Sequence, residues 1–135
     1  MATIFTRIIN GEIPCYKVAE DANYFAFLDI NPLTKGHTLV VPKVEEDYIF
    51  NLDDTTYAGL MLFAKKVAKA LKQAVPCKRI GVAVMGMEVP HAHVHLIPIN
   101  KESDMVISNP KLQFSSEEMQ KIAAENNLAE TAFTV

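Results

Sequence analysis

The sequence is poor in cysteine, in excess basic charge and in long apolar runs, and each shortage excludes a class of protein. Its 135 residues include two cysteines, Cys15 and Cys77, far apart in the chain. They form no C-x-x-C pair of the kind that holds a metal and no disulfide framework. Two thiols in a reducing compartment is the plain expectation, with a single bridge left open. The net charge of −3 and a pI near 5.8 argue against a surface built to grip the phosphates of a long nucleic acid. A small anionic ligand needs only a few local donors and stays possible. The longest stretch of apolar residues and glycine, "IGVAVMGM" at 80–87, is far short of the roughly 20 residues that cross a bilayer. The opening "MATIFTRIINGEIP" lacks the basic segment and long apolar run of a secretory signal. A cytoplasmic protein without membrane or nucleic-acid polymer partners is expected. Internal repeats and low-complexity linkers are also missing.

Apolar residues make up half of the chain, enough for a real core, and its length suits one domain over 1–135. Aromatic and β-branched runs predict strands at 16–21, 23–30, 37–43, 79–86 and 91–99, with a turn at Asp21-Ala22-Asn23 and a loop at "NPLTKG" (31–36). The clearest helix lies between Asp53 or Asp54, as cap, and Pro76, as stop. At about 100° per residue, Tyr57, Leu60, Met61, Phe63, Ala64, Val67, Ala68, Leu71 and Ala74 fall in one broad arc. Lys65, Lys66, Lys69 and Lys72 lie outside it and read as a solvated face, with Lys72 suited to the helix C-terminus. Leu62 sits among these lysines, which the amphipathic pattern does not explain. Such an arc suits a helix covering a sheet, with or without a second subunit. In "SSEEMQKIAAENNLA", Ser115 and Glu118 are spaced as a capping box and predict a short C-terminal helix. The tail after Leu128 is expected to fray. The sum is an α+β domain with a mainly antiparallel five-stranded sheet.

Three of the four histidines fall in "PHAHVHLIP" (90–98). On a strand, His91, His93 and His95 share one face, roughly 6.5–7 Å apart, while Ala92, Val94 and Leu96 point to the other. Each imidazole on such a face must be solvated or hydrogen-bonded, so a row of three without a use is costly. Imidazole can bind a metal, transfer protons or attack an electrophile. A zinc site from His91, His93 and His37 is one reading, although the segment contains no Asp, Glu or Cys and Glu88 is the nearest acid. Nucleophilic attack at phosphorus is another. The histidine pattern alone does not choose between them.

The motif "HAHVHLIP" (91–98), together with "IFTRIINGEIP" (4–14) and "FAFLDINPLTKGHTLVVPK" (25–43), resembles the histidine-triad family in type, order and spacing. The likeness covers about the first hundred residues, a core of about 3–100; the segment 101–135 diverges. The resemblance implies a nucleotide hydrolase or transferase acting at an α-phosphorus, on purine nucleoside phosphoramidates or dinucleoside polyphosphates. It implies His93 as nucleophile, His95 as donor to a phosphate oxygen or the leaving group, His91 orienting His93 through its carbonyl, and His37 completing the chain of hydrogen bonds. It implies Asp29 on the ribose hydroxyls and Ile4, Phe5, Ile8, Ile13 and Phe27 around the base. No metal or other cofactor is implied, and a two-fold homodimer with a joined sheet is.

The chain departs from the family pattern in three places. "GVAVMGMEVPH" lacks the usual Asn and the Gly-Gln-Ser or Gly-Gln-Thr segment, and it puts Glu88 where a hydroxyl residue is usual. A carboxylate there repels a phosphate unless it turns away or is protonated; it either recognises a cationic leaving group, such as an amine, or is simply a solvent-facing turn residue. Thr3 and Thr6 stand where some relatives carry a zinc-binding cysteine pair, so no structural zinc is expected. The C-terminal segment gives no guide to the leaving group. A nucleotide-binding module with little turnover, or a zinc hydrolase, remain the rival readings.

Overall fold

The computed structural model describes residues 2–130. Helix α1 (Ile4–Ile9) leads into strands β1 (Lys17–Glu20), β2 (Tyr24–Leu28) and β3 (Thr38–Pro42). Helix α2 (Asp54–Ala74) follows, then β4 (Arg79–Ala83), β5 (Val94–Ile99) and helix α3 (Ser116–Glu130). Single 3₁₀ turns occupy Ile49–Asn51 and Glu102–Met105. The five strands form one antiparallel sheet in the order β1-β2-β3-β5-β4. This is the α+β architecture expected from the sequence.

The turn chemistry works as its residues dictate. Asp21 accepts from the amides of Asn23 and Tyr24, both at 2.8 Å, and closes the β1–β2 turn. Asp53 caps α2 by accepting from Thr56 N at 2.7 Å. At the other end Lys72 donates to the Cys77 carbonyl at 3.0 Å, placing positive charge at the C-terminus. Ser115 and Glu118 exchange side-chain bonds with each other's backbone amides, both at 3.1 Å, the reciprocal capping box that opens α3. Residues 131–135, most of the tail expected to fray, lie outside the described residues.

Alternation along the strands separates the sheet into two faces. Tyr24, Ala26, Leu28, Val40, Val94 and Leu96 join Leu60, Phe63, Val67 and Leu71 of α2 and Met119 and Ile122 of α3 in the main core. Phe25, Phe27, Leu39 and Val41 point the other way and form a second cluster with Phe5 of α1. Leu60, Phe63, Ala64, Val67 and Leu71 of the α2 arc are buried, together with Ala70, while Tyr57, Met61, Ala68 and Ala74 pack half-buried at its margins and Leu62 is exposed. Gly59 allows the sheet and α2 to approach closely. A Cβ there would lie 2.0 Å from the Tyr24 hydroxyl, which donates to Thr56 O at 3.0 Å.

Two expectations need correction. The last strand begins at Val94, not at residue 91, so only His95 of the three clustered histidines belongs to it. Its pairing with β3 runs from Thr38↔Leu96 to Val40↔Val94 and stops there. Beyond Val94 the chain leaves the ladder, and Ala92 N donates instead to Glu46 O at 2.6 Å. The second correction is α1: its six residues are too few for a periodic pattern to reveal, and the sequence reading passed over it.

Candidate active site

Three strands deliver the polar residues to the face opposite α2. Odd-numbered positions of β2 and β3 carry Phe25, Phe27, Leu39 and Val41 into the second cluster. Continuing that alternation past the strand ends places Asp29 after β2 and His37 before β3. Gly36, at φ +91°, makes the turn that starts β3 and packs under Val75 and Leu71. Leu39 pairs with His95, so His37 lies diagonally across from it.

His37 and His95 form a directed chain. Leu33 N–H donates to His37 Nδ1 at 3.0 Å. An accepting Nδ1 puts the His37 proton on Nε2, which lies 2.9 Å from His95 Nδ1. His95 Nδ1 therefore accepts, and the His95 proton resides on Nε2. Burial is the main force holding both rings neutral: it pushes His37 down to about 3 and His95 to about 4. Asp29 Oδ2 lies 3.7 Å from His37 Nε2, too far for a hydrogen bond, and a neutral His37 makes no ion pair with it. Burial raises Asp29 itself, opposed by the Asn31 amide on its Oδ1 at 2.8 Å.

His91 and His93 form a second pair, joined through the backbone. His93 Nδ1 lies 2.8 Å from the His91 carbonyl, which can only accept. The His93 proton is thus on Nδ1 and its Nε2 carries a lone pair. His91, fully buried, directs Nε2 to the Pro42 carbonyl at 2.7 Å and Nδ1 to the Thr3 hydroxyl at 2.8 Å. Burial also lowers its pKa. Phe5 packs edge-on against His93, with ring centres 5.0 Å apart, and against His91 at 5.7 Å. The His93 and His95 rings are 5.0 Å apart.

The apolar candidates divide. Phe5 and Phe27 are buried and in edge contact at 5.5 Å, and Ile8 packs against their cluster. Ile13 is half-buried and Ile4 is exposed; neither belongs to that cluster. Glu88 is exposed and raises Asp29 electrostatically, so its charge reaches the site. Lys111 lowers both Asp29 and His37 in the same way. Sequence reasoning missed Lys111, which the Leu112 N–H to Pro32 O bond (2.9 Å) brings beside the Asp29–His37 loop. It also missed Glu45, whose Oε1 accepts from Thr3 N and Thr6 Oγ1, both at 2.6 Å. No local pattern marks either residue.

The hydrogen bonds also test the metal reading. The set His91, His93 and His37 is not assembled for a metal, because both ring nitrogens of His91 are engaged elsewhere. Among the described residues, Asp29, His37 and His95 do bring ligand atoms within 4.8 Å of one another. A neutral His37 ligating through Nε2 would carry its proton on Nδ1 and oppose the Leu33 N–H. The donor set is wired for hydrogen bonding and fits a metal poorly.

Comparison with known proteins identifies the family of the chain. The family model described as "HIT domain" matches residues 10–102. Adenosine 5′-monophosphoramidase hnt1 of Schizosaccharomyces pombe is 36% identical over 127 residues, covering 93% of this chain and 96% of the yeast protein. A protein of Borreliella burgdorferi described as an uncharacterized HIT-like protein is 44% identical over 102 residues, 70% of this chain and 73% of its own. The crystal structure of a Hit-like protein involved in cell-cycle regulation from Bartonella henselae superposes with a TM-score of 0.82 at 31% identity, covering 94% of this chain and 95% of that one. With the family model matching more than half of the chain and the Schizosaccharomyces pombe relative similar over nearly its full length, the chain belongs to the histidine-triad family.

Proposed function

We propose that the protein hydrolyses purine nucleoside phosphoramidates or dinucleoside polyphosphates through a nucleotidyl-histidine intermediate. One observation carries this reading: His93 Nδ1–H is given to the His91 carbonyl at 2.8 Å, leaving Nε2 as a nucleophile. Nε2 attacks the α-phosphorus, and the leaving group departs with the bonding pair. An amine takes its proton from solvent. Water then adds at phosphorus and returns a proton to solvent, the P–Nε2 bond breaks, and the lone pair returns to His93. His95, neutral with its proton on Nε2, donates a hydrogen bond to a phosphate oxygen or the leaving group. His37 keeps it in that tautomer. Asp29 accepts from the ribose hydroxyls, and Phe5, Phe27 and Ile8 hold the base, with Ile4 and Ile13 at its rim. The relatives' names support the substrate class: one is an adenosine 5′-monophosphoramidase and another, from Arabidopsis thaliana, an adenylylsulfatase.

Glu88 favours an amine leaving group within that class. Its negative charge reaches Asp29, and it attracts an ammonium where it would repel a phosphate. Incubation with adenosine 5′-phosphoramidate should release AMP, and mass spectrometry of the quenched enzyme should find adenylate on His93. Substrate binding without AMP release or adduct would favour the binding-module reading instead.

A two-fold homodimer belongs to the same reading. Strand β4 is an edge of the sheet. Around it Val82, Val84, Met85 and Met87 are exposed, as is Leu62 on α2. A second copy covering this strip accounts for Leu62 among the lysines and hides the open edge. Sedimentation should give twice the chain mass, and Leu62→Glu should shift it toward one. Among the described residues no helix is long and apolar enough to cross a membrane. Cys15 and Cys77 are unpaired thiols, which suits a cytoplasmic setting.

A further inference from the structure

His93 lies outside the sheet, so something other than strand pairing must hold its proton acceptor in place. The acceptor is the His91 carbonyl, on a residue that is in bent, unpaired chain. The Ala92 N–H on Glu46 O at 2.6 Å holds one side of that peptide unit, and the His91 ring, pinned at both nitrogens, holds the residue from the other. Pro42 O accepts from Nε2–H, so Nδ1 has only a lone pair to offer. The partner at Nδ1 is the Thr3 hydroxyl, at 2.8 Å and 88 residues away in sequence.

The proton accounting at Thr3 leaves one arrangement. Thr3 Oγ1 accepts from Thr6 N at 3.1 Å, closing the first turn of α1. Its single proton has three possible acceptors: His91 Nδ1 at 2.8 Å, Thr6 Oγ1 at 3.3 Å and the Glu45 carboxylate, which also draws on the Thr3 side chain. Glu45 already accepts from Thr6 Oγ1 and Thr3 N, whereas His91 Nδ1 is close, buried and without another donor, so it takes the proton. Thr6 donates its own proton to Glu45 Oε1 at 2.6 Å, and Thr3 N donates to the same oxygen at 2.6 Å. The N-terminal turn is thereby tied to residue 45 while its hydroxyl addresses the histidine.

We propose that Thr3 is a positioning residue for the nucleophile: its hydroxyl proton locks His91, and through the His91 carbonyl it keeps the His93 proton on Nδ1 and the lone pair on Nε2. This rests on the reading of His93 as nucleophile. It assigns to α1, a short helix that also carries Phe5 against the His93 ring, a second task besides packing. Thr3 itself touches no reacting atom.

The test uses the full chain with Thr3→Val, which keeps the shape and removes the proton, and Thr3→Ser, which restores it. Steady-state kinetics on adenosine 5′-phosphoramidate should show kcat lowered about 10–100-fold in Thr3→Val, with KM within about twofold. ¹⁵N spectra of the histidine rings should show His93 losing its pure Nδ1–H tautomer. Thr3→Ser should restore both. Because valine also removes the helix cap, thermal unfolding is followed in parallel. Thr3→Gly, which starts a helix nearly as well as threonine, repeats the test if the valine variant does not fold. A wild-type kcat and an unshifted His93 tautomer in these variants, while His93→Ala abolishes turnover, would overturn the role of Thr3. Full turnover by His93→Ala would sink the nucleophile reading instead; the tautomer spectra would still judge Thr3.

Discussion

The two faces of the sheet are built from alternate residues of the same strands, yet they are organised by different forces. On the α2 face, Leu28, Val40, Val94 and Leu96 pack with Leu60, Val67 and Leu71, and burial is nearly complete. Their contribution is non-directional, about 1.5–3 kcal/mol per large side chain removed from water. On the other face His37, His91 and His93 are also buried, but every ring nitrogen with an assigned contact has one partner of one polarity. Burial here costs free energy unless each proton is correctly placed. One face therefore tolerates changes that conserve volume, while the other tolerates few changes of any kind.

The sharpest way to separate the faces is His93→Ala. Turnover of adenosine 5′-phosphoramidate should fall by about 10⁴-fold, measured as AMP release on the folded protein, far beyond what any accompanying drop in melting temperature explains. The reverse pattern is expected from Leu60→Ala. It should lower unfolding free energy by about 2–5 kcal/mol in urea titration and leave the activity of the folded fraction near normal. If both variants lose activity and stability in proportion, the two faces are one cooperative unit and the distinction fails.

Acid titration sharpens the comparison next. His37 and His95 have folded pKa values of about 3 and about 4, below the ordinary 6.5. The unfolded chain binds more protons at acid pH, so their contribution is fully present above about 6.5 and is lost as pH falls toward 4 and then 3. Stability should decline over that window by a few kcal/mol, on the order set by about 1.4 kcal/mol per pK unit. Replacing His95 by Asn should flatten the decline, and an unaltered pH profile would count against buried, neutral histidines. The smallest effect belongs to the α2 side: Ser115→Ala breaks the α3 capping box and should cost about 1 kcal/mol, with activity unchanged.

Much of the apolar face could be read in the amino acids. The α2 arc, the Asp53 cap, the Ser115–Glu118 box and the Ala92-Val94-Leu96 alternation all follow from spacing within a few residues. The other face was legible in part. His91, His93 and His95 could be named from their alternation and His37 as a candidate partner, whereas Asp29, Phe5 and Phe27 came only with the resemblance to the histidine-triad family. Of their wiring, the resemblance implied the His91 carbonyl behind His93 and His37 in the chain, but neither the Thr3 hydroxyl nor the Leu33 amide. The Thr3–His91 bond spans 88 positions and the His37–His95 bond 58, and no periodicity encodes contacts of that range. The start of β5 was misplaced for a related reason. The alternation continues through His91, but the partner strand ends at Pro42, whose ring has no N–H to extend the ladder.

The head of the His37–His95 chain is a main-chain amide, that of Leu33. Such a group has no pKa in the working range and belongs to the loop whatever side chain position 33 bears. The orientation of the imidazole series is therefore inherited from the path of the polypeptide, and a change of the buried side chain there does not by itself remove the donor. Proline is the one exchange that deletes this donor outright. Placed at 33, it would let both rings choose their tautomers anew while the aspartate and all four histidines remained in the sequence.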